Sequence, residues 1–152
     1  MTEQQEQQLK APFPYRDIGW IINATKDGAS GLVSPYVDGR AIEGRLDSVL
    51  GKGGWQNQFV VTDLAQDAAF TCRVGIYYPD RQEWIWKSDG SGLSEAAPVK
   101  GGYSSALKRA ASAWGIGRYL YGFTPLWVSV KKAGRSYRIA ESENAKLERA
   151  YL

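Results

Sequence analysis

The sequence predicts an α+β fold, and three observations predict it. Between Trp55 and Lys87, three segments of strand-like composition follow one another across short connections. Further on, Tyr103, Leu107, Ala110, Trp114 and Tyr121 fall on one stripe at helical spacing. On either side lie stretches that read as hairpins, so strands and helices come in separate runs.

Each element follows from local chemistry. Residues 1–11, MTEQQEQQLKA, are Gln/Glu-rich and read as a flexible arm or short helix that Pro12 and Pro14 stop. DIGWIINATKDGASGLVSPYV sets two apolar runs around Lys-Asp-Gly-Ala-Ser-Gly, the pattern of a hairpin with a rather long loop. From Asp38 to Leu50 the period becomes helical: Ile42, Leu46, Val49 and Leu50 share a face, Asp38 caps the start and Gly51 is a left-handed stop. WQNQFVVTDL, AFTCRVGIYY and EWIWKS then suggest an antiparallel meander with its last turn at PDRQ. In the middle segment Phe70, Cys72, Val74, Ile76 and Tyr78 alternate onto one face. SDGSGLSEAAPVKGG reads as a flexible connection into a helix running through YSSALKRAASAWGIGRYLY. LWVSVKKAGRSYRIA is a second hairpin turning at Lys132-Ala133-Gly134-Arg135, and SENAKLERAYL a short terminal helix.

A chain of 152 residues with 43% apolar content reads as a single folded domain. With Cys72 as its one cysteine and no histidine, it forms no intramolecular disulfide and offers no Cys/His zinc set. No run approaches the ~20 apolar residues of a membrane span, and the start lacks the regions of a signal peptide. The expected setting is the cytoplasm, with no membrane partner, metal or cofactor. Catalysis is poorly supported, because a Ser/His or Cys/His dyad is impossible and the carboxylates are scattered singly. The expectation is that the protein is not an enzyme.

Charge is segregated along the chain. From Lys100 to Arg138 there are eight basic residues and no acid; taking these from the 19 basic residues leaves 11 against 16 acidic ones elsewhere. A local positive potential of this kind is the footprint of a polyanion binder, and the alternative is a solvated face kept basic for solubility. Within the second helix, Lys108 and Arg109 lie about 100° and 200° around the axis from Leu107, so both are expected to project outward. Ser104, Ser105 and Ser112 lie within a turn of them, and Lys, Arg and Ser together suit phosphodiester oxygens. In the first helix, Arg40 takes the far side, whereas Arg45 falls near the apolar face. It either pairs with a carboxylate such as Asp38 or lines a groove wall. GKGGW lacks the spacing of a phosphate loop and reads as a turn whose Lys52 reaches DNA. GIGRYLYG follows a helix where a dinucleotide fingerprint follows a strand; Gly115 and Gly117 serve close packing or a kink, and Arg118 joins the basic set.

The order of elements, with VDGRAIEGRLDSVLGKGGWQ and YSSALKRAASAWGIGRYLY as its most specific parts, resembles the Rad fifty-two family of recombination mediators, and within it the short bacteriophage single-strand annealing proteins. The resemblance runs from about Pro12 to Tyr121, and the intervening strands match in pattern more than in letters. It implies a β-sheet wrapped against the long helix, residues 12–152 forming a DNA-binding and oligomerisation domain, and assembly into rings or helical oligomers with a continuous basic groove for single-stranded DNA. It places Lys108 and Arg109 on the pair lining that groove, Lys100 on a basic position one to two turns earlier, and Arg40 as nearest match to an arginine at the start of the first helix. Eukaryotic members carry an arginine where Ser112 stands, which shifts weight to Arg118 or Arg45. The implied activity is annealing of complementary strands in recombination or double-strand-break repair, in the host cytoplasm if phage-encoded. An exonuclease or a host single-strand binding protein would be a further partner. The rival readings are a binding module that protects strands without pairing them, a DNA-processing enzyme, and a scaffold component.

Overall fold

The glycine- and proline-punctuated pattern resolves into four α-helices and seven strands among the described residues of a computed structural model. It describes the backbone of residues 1–64, 67–92 and 98–152 and the side chains of 1–62, 69–92 and 102–152. The chain divides into two compact units. Met1–Pro12 with Asp38–Arg118 forms one; Phe13–Val37 with Tyr119–Leu152 forms the other.

In the first unit, the Gln/Glu-rich start is helix α1, Glu3–Lys10. A capping box explains why so polar a segment is helical: Gln5 N donates to Thr2 Oγ1 at 3.1 Å, and Thr2 N to Gln5 Oε1 at 2.9 Å. Leu9 is fully buried, which anchors the helix by its one large apolar side chain. Helix α2, Gly39–Leu50, starts and stops where the pattern places it. Asp38 Oδ1 accepts from Ala41 N at 2.8 Å, and Gly51 sits at φ 75°. Its buried residues are Ile42 and Leu46.

Strands β3 (Trp55–Leu64), β4 (Asp67–Tyr78) and β5 (Glu83–Ser91) form the expected antiparallel meander, with β4 central. Registers run from Trp55↔Ile76 to Leu64↔Asp67 and from Phe70↔Ser91 to Tyr78↔Glu83. The alternation along β4 is real: Phe70, Cys72, Val74 and Ile76 are all buried. Helix α3, Pro98–Ala113, packs on β4 and β5 through buried Ala106, Leu107, Ala110 and Ala111. Trp114 Nε1 donates to Val74 O at 2.9 Å, pinning the helix end to the central strand.

Two boundaries differ from expectation. The connection read as flexible is shorter, because β5 continues through Ser91 and α3 begins at Pro98; residues 93–97 of that stretch lie outside the described residues. The helix also ends at Ala113 instead of running to Tyr121. Gly115, at φ 92°, takes a left-handed conformation, and Gly115 N and Ile116 N donate back to Ser112 O and Ala111 O. Those bonds satisfy helix-end carbonyls, so stopping is favoured over continuing. The stripe therefore breaks, and Tyr121 is 63% exposed.

The second unit is a four-stranded antiparallel sheet in the order β1 (Ile18–Lys26), β2 (Ser30–Val37), β6 (Leu126–Ala133), β7 (Ser136–Ile139). The first hairpin closes with only Asp27-Gly28-Ala29, tighter than the loop expected, because Asp27 and Gly28 both adopt positive φ. The second hairpin turns at Gly134-Arg135, inside the tetrapeptide expected. Helix α4, Asn144–Tyr151, closes the core with Leu147 against Val33, Val128 and Val130. The Tyr151 hydroxyl bonds Phe13 O and Tyr119, and Tyr119 Oη accepts from Phe13 N at 2.9 Å.

Candidate nucleic-acid interface

The cation pair on α3 is where charge and helix phase meet. Leu107 is buried against the sheet, so Lys108 and Arg109, one and two steps further round the axis, leave the core progressively. Arg109 is exposed as expected. Lys108 is only half out: burial pushes its ammonium below the usual lysine range, with the Asp38 carboxylate opposing that shift. Burial does so because removing the charged form from water costs more than removing the neutral one.

The pair lacks acids along the chain but gains them in space. Arg109 Nε donates to Asp89 Oδ1 on β5 at 3.2 Å, and the same oxygen accepts from Gly90 N at 2.7 Å. Asp89 pairs with Cys72 and Lys87 with Val74 in the β4–β5 ladder, so both project onto the sheet face that α3 covers. Lys87 Nζ accordingly donates to Ala113 O at 3.3 Å and stands 4.7 Å from the Trp114 ring. Sequence reading missed both Lys87 and Asp89. Register was the available signal, since partners of buried alternate residues on a middle strand share their face.

An open groove of about 490 Å³ is lined by Asp38, the N-cap of α2, by Gly39, Arg40 and Glu43 of α2, by Phe59 of β3, and by Tyr103, Ser104 and Leu107 of α3. Tyr103 packs edge-on against Phe59 and Phe70 at 4.9 and 4.8 Å between centroids, which fixes its ring in the groove wall. Arg40 is exposed at this groove, and Asp38 ties α2's first turn electrostatically to Lys108. Arg40 and Ser104 thus line the groove and Lys108 is tied electrostatically to its wall, whereas Arg109 leaves α3 on the flank of β5.

The other expected residues are dispersed. Arg45 is partly buried as its phase requires, and the groove's lining does not include it. Its Nη1 donates to the carbonyls of Gln8, Leu9 and Ala11 at 3.1, 3.2 and 2.7 Å, and its Nη2 to Pro12 O at 3.3 Å. The physical reason is that α1 ends there, leaving unsatisfied carbonyls at the negative end of a helix. Lys52 is exposed beyond the far end of α2, which runs about 15 Å from Arg40 to Leu50 at 1.5 Å per residue. Arg118 is exposed after the glycine turn. Ser112 bonds its own helix, Oγ to Arg109 O at 2.6 Å. Lys100 belongs to the first turn of α3, and its side chain lies outside the described residues. Among the described residues no cluster of three or more His, Cys, Asp or Glu side chains suits a metal ion, and no helix is long and apolar enough to cross a membrane.

A sequence model of the family described as Rad52/22 family double-strand break repair protein matches residues 2–138. Two curated relatives carry the name single-stranded DNA-binding protein DdrA. That of Deinococcus radiodurans is 32% identical over 133 residues, covering 86% of this chain and 61% of its own. That of Deinococcus deserti is 30% identical over 131 residues, covering 86% of this chain and 63% of its own. The chain therefore spans about three fifths of the length of these relatives. Both are bacterial, and neither bears on the bacteriophage branch.

Proposed function

The chain belongs to the Rad52/22 family of double-strand break repair proteins, and from that premise we propose that it binds single-stranded DNA by its phosphates and anneals complementary strands in recombination and repair. The observation that carries this reading is that Arg40 and Ser104 line one open groove, with Lys108 within electrostatic reach of Asp38 in the groove's wall, while Arg109 of the same α3 helix is exposed on its β5 flank. Annealing needs two strands concentrated and extended, their repulsion neutralised and their base edges free. Cations and hydroxyls meet that need by holding the backbone, whereas aromatic platforms would sequester the bases. Tyr103 is engaged edge-on with two phenylalanines, which suits a wall better than a stacking platform.

One protomer covers few nucleotides, so useful affinity comes from protomers in series, each raising the local concentration for the next. We propose a homo-oligomer on this ground. It is supported by β3, an edge strand whose Phe59, Val60 and Val61 are exposed apolar residues. The setting we propose is the cytoplasm.

The relatives' name favours a second reading, a binding protein that protects strands without pairing them. Mixing labelled complementary strands separates the two: an annealer speeds duplex formation and a protector slows it. For the groove, Lys108→Ala with Arg109→Ala should cut strand binding at least about tenfold at moderate salt. Unchanged binding and annealing in a folded double variant would overturn the assignment.

A further inference from the structure

We propose that Asp89 is a built-in competitor for phosphate at Arg109: it orients the guanidinium while the interface is empty and yields it to a phosphate oxygen when a strand arrives. This rests on the reading of the α3 cations as phosphate contacts. The two side chains meet at 3.2 Å and are 50% and 36% exposed, so water and a second anion reach the pair from outside. Exposed ion pairs are weakly held and exchange readily. The contact runs through Nε, whereas a phosphate can take two guanidinium donors at once, so exchange favours the strand. Asp89 keeps its place when Arg109 leaves, because its Oδ1 also accepts from Gly90 N at 2.7 Å. Asp38, the acid near Lys108, is different: it is the N-cap of α2 and is held by that duty.

The consequence is a tempered grip. A returning carboxylate lowers the net gain from each phosphate contact and speeds release of the paired product. Asp89 is thus a positioning residue that acts through Arg109 and touches no base.

Fluorescence anisotropy with labelled oligothymidylate tests this on the wild type and on Asp89→Asn, Arg109→Ala, their combination, and Asp80→Asn. Asparagine keeps the size and the bond to Gly90 but removes the charge. Asp89→Ser is the second variant should asparagine fold poorly, as judged by thermal melting. Asp80 lies in the turn before β5, about 20 Å along the strand from Asp89 at ~3.3 Å per residue, and its substitution makes the same change in net charge. Asp89→Asn should tighten binding about three- to five-fold and slow dissociation. Asp80→Asn should stay within about two-fold at physiological salt, beyond the screening length. In the Arg109→Ala background the gain from Asp89→Asn should vanish. An Asp89→Asn effect equal to that of Asp80→Asn, or one that persists without Arg109, overturns the proposal. A wild type that binds no strand overturns the functional reading and this inference with it, whereas a wild type that binds alongside an inert Asp89→Asn overturns the inference alone.

Discussion

Lys108 shows at the residue scale how one position serves two demands. Its ammonium is pushed below the usual lysine range by burial, yet stands within electrostatic reach of Asp38 in the groove's wall. The native state binds that proton less tightly than the unfolded chain does. Stability is therefore diminished while Lys108 is charged, and the deficit is relieved as pH rises through its folded value toward 10.5. Strand binding should move the opposite way, weakening at a lower pH than an ordinary lysine would dictate. Lys108→Met should leave the thermal midpoint equal or higher while reducing strand affinity, which melting and anisotropy measure together. Cys72 gives a second residue-scale expectation. Burial raises its thiol to about 11, so the unfolded chain ionises it first and stability falls as pH climbs from about 9 to that value. Native Cys72 should resist thiol reagents and label only as the β4 sheet opens. Rapid labelling without unfolding would contradict this burial.

Helix ends decide much at the element scale. Arg45 holds four carbonyls where α1 finishes, so Arg45→Ala should cost about 1–3 kcal/mol by urea unfolding, and Arg45→Lys should recover little because an ammonium cannot fork across them. Gly115→Ala places a side chain at φ 92° and a Cβ 2.7 Å from Lys10 Cγ, which should cost about 1–2 kcal/mol from the backbone alone. The elements were legible wherever the signal was local. Asp38 and Gly51 bracket α2, alternate apolar residues mark β4, and Gly134 turns the last hairpin. Arg45's partners were not legible, because its helical phase tells that it is half-buried but not which distant backbone stands there. Nor was the stop at Ala113, since a periodic stripe continues on paper past two glycines whose dihedrals end it.

At the scale of the whole molecule, the segregated charge should make strand binding strongly salt-dependent, with log affinity falling at about 0.7 per neutralised phosphate against log salt. A slope near zero in titrations at rising sodium chloride would argue against a phosphate grip. Membership of the Rad52/22 family and the run of elements were within reach of the letters alone, because periodicity, caps and motif spacing are short-range properties of a chain. Which cations stand together, and which are already engaged, was decided only by tertiary structure. Arg40 reaches the groove while Arg45 turns to α1, and an acid twenty residues from Arg109 arrives beside it across the β5 edge. Electrostatics depends on distance through space, and a stretch without a single carboxylate along the chain can still fold against one.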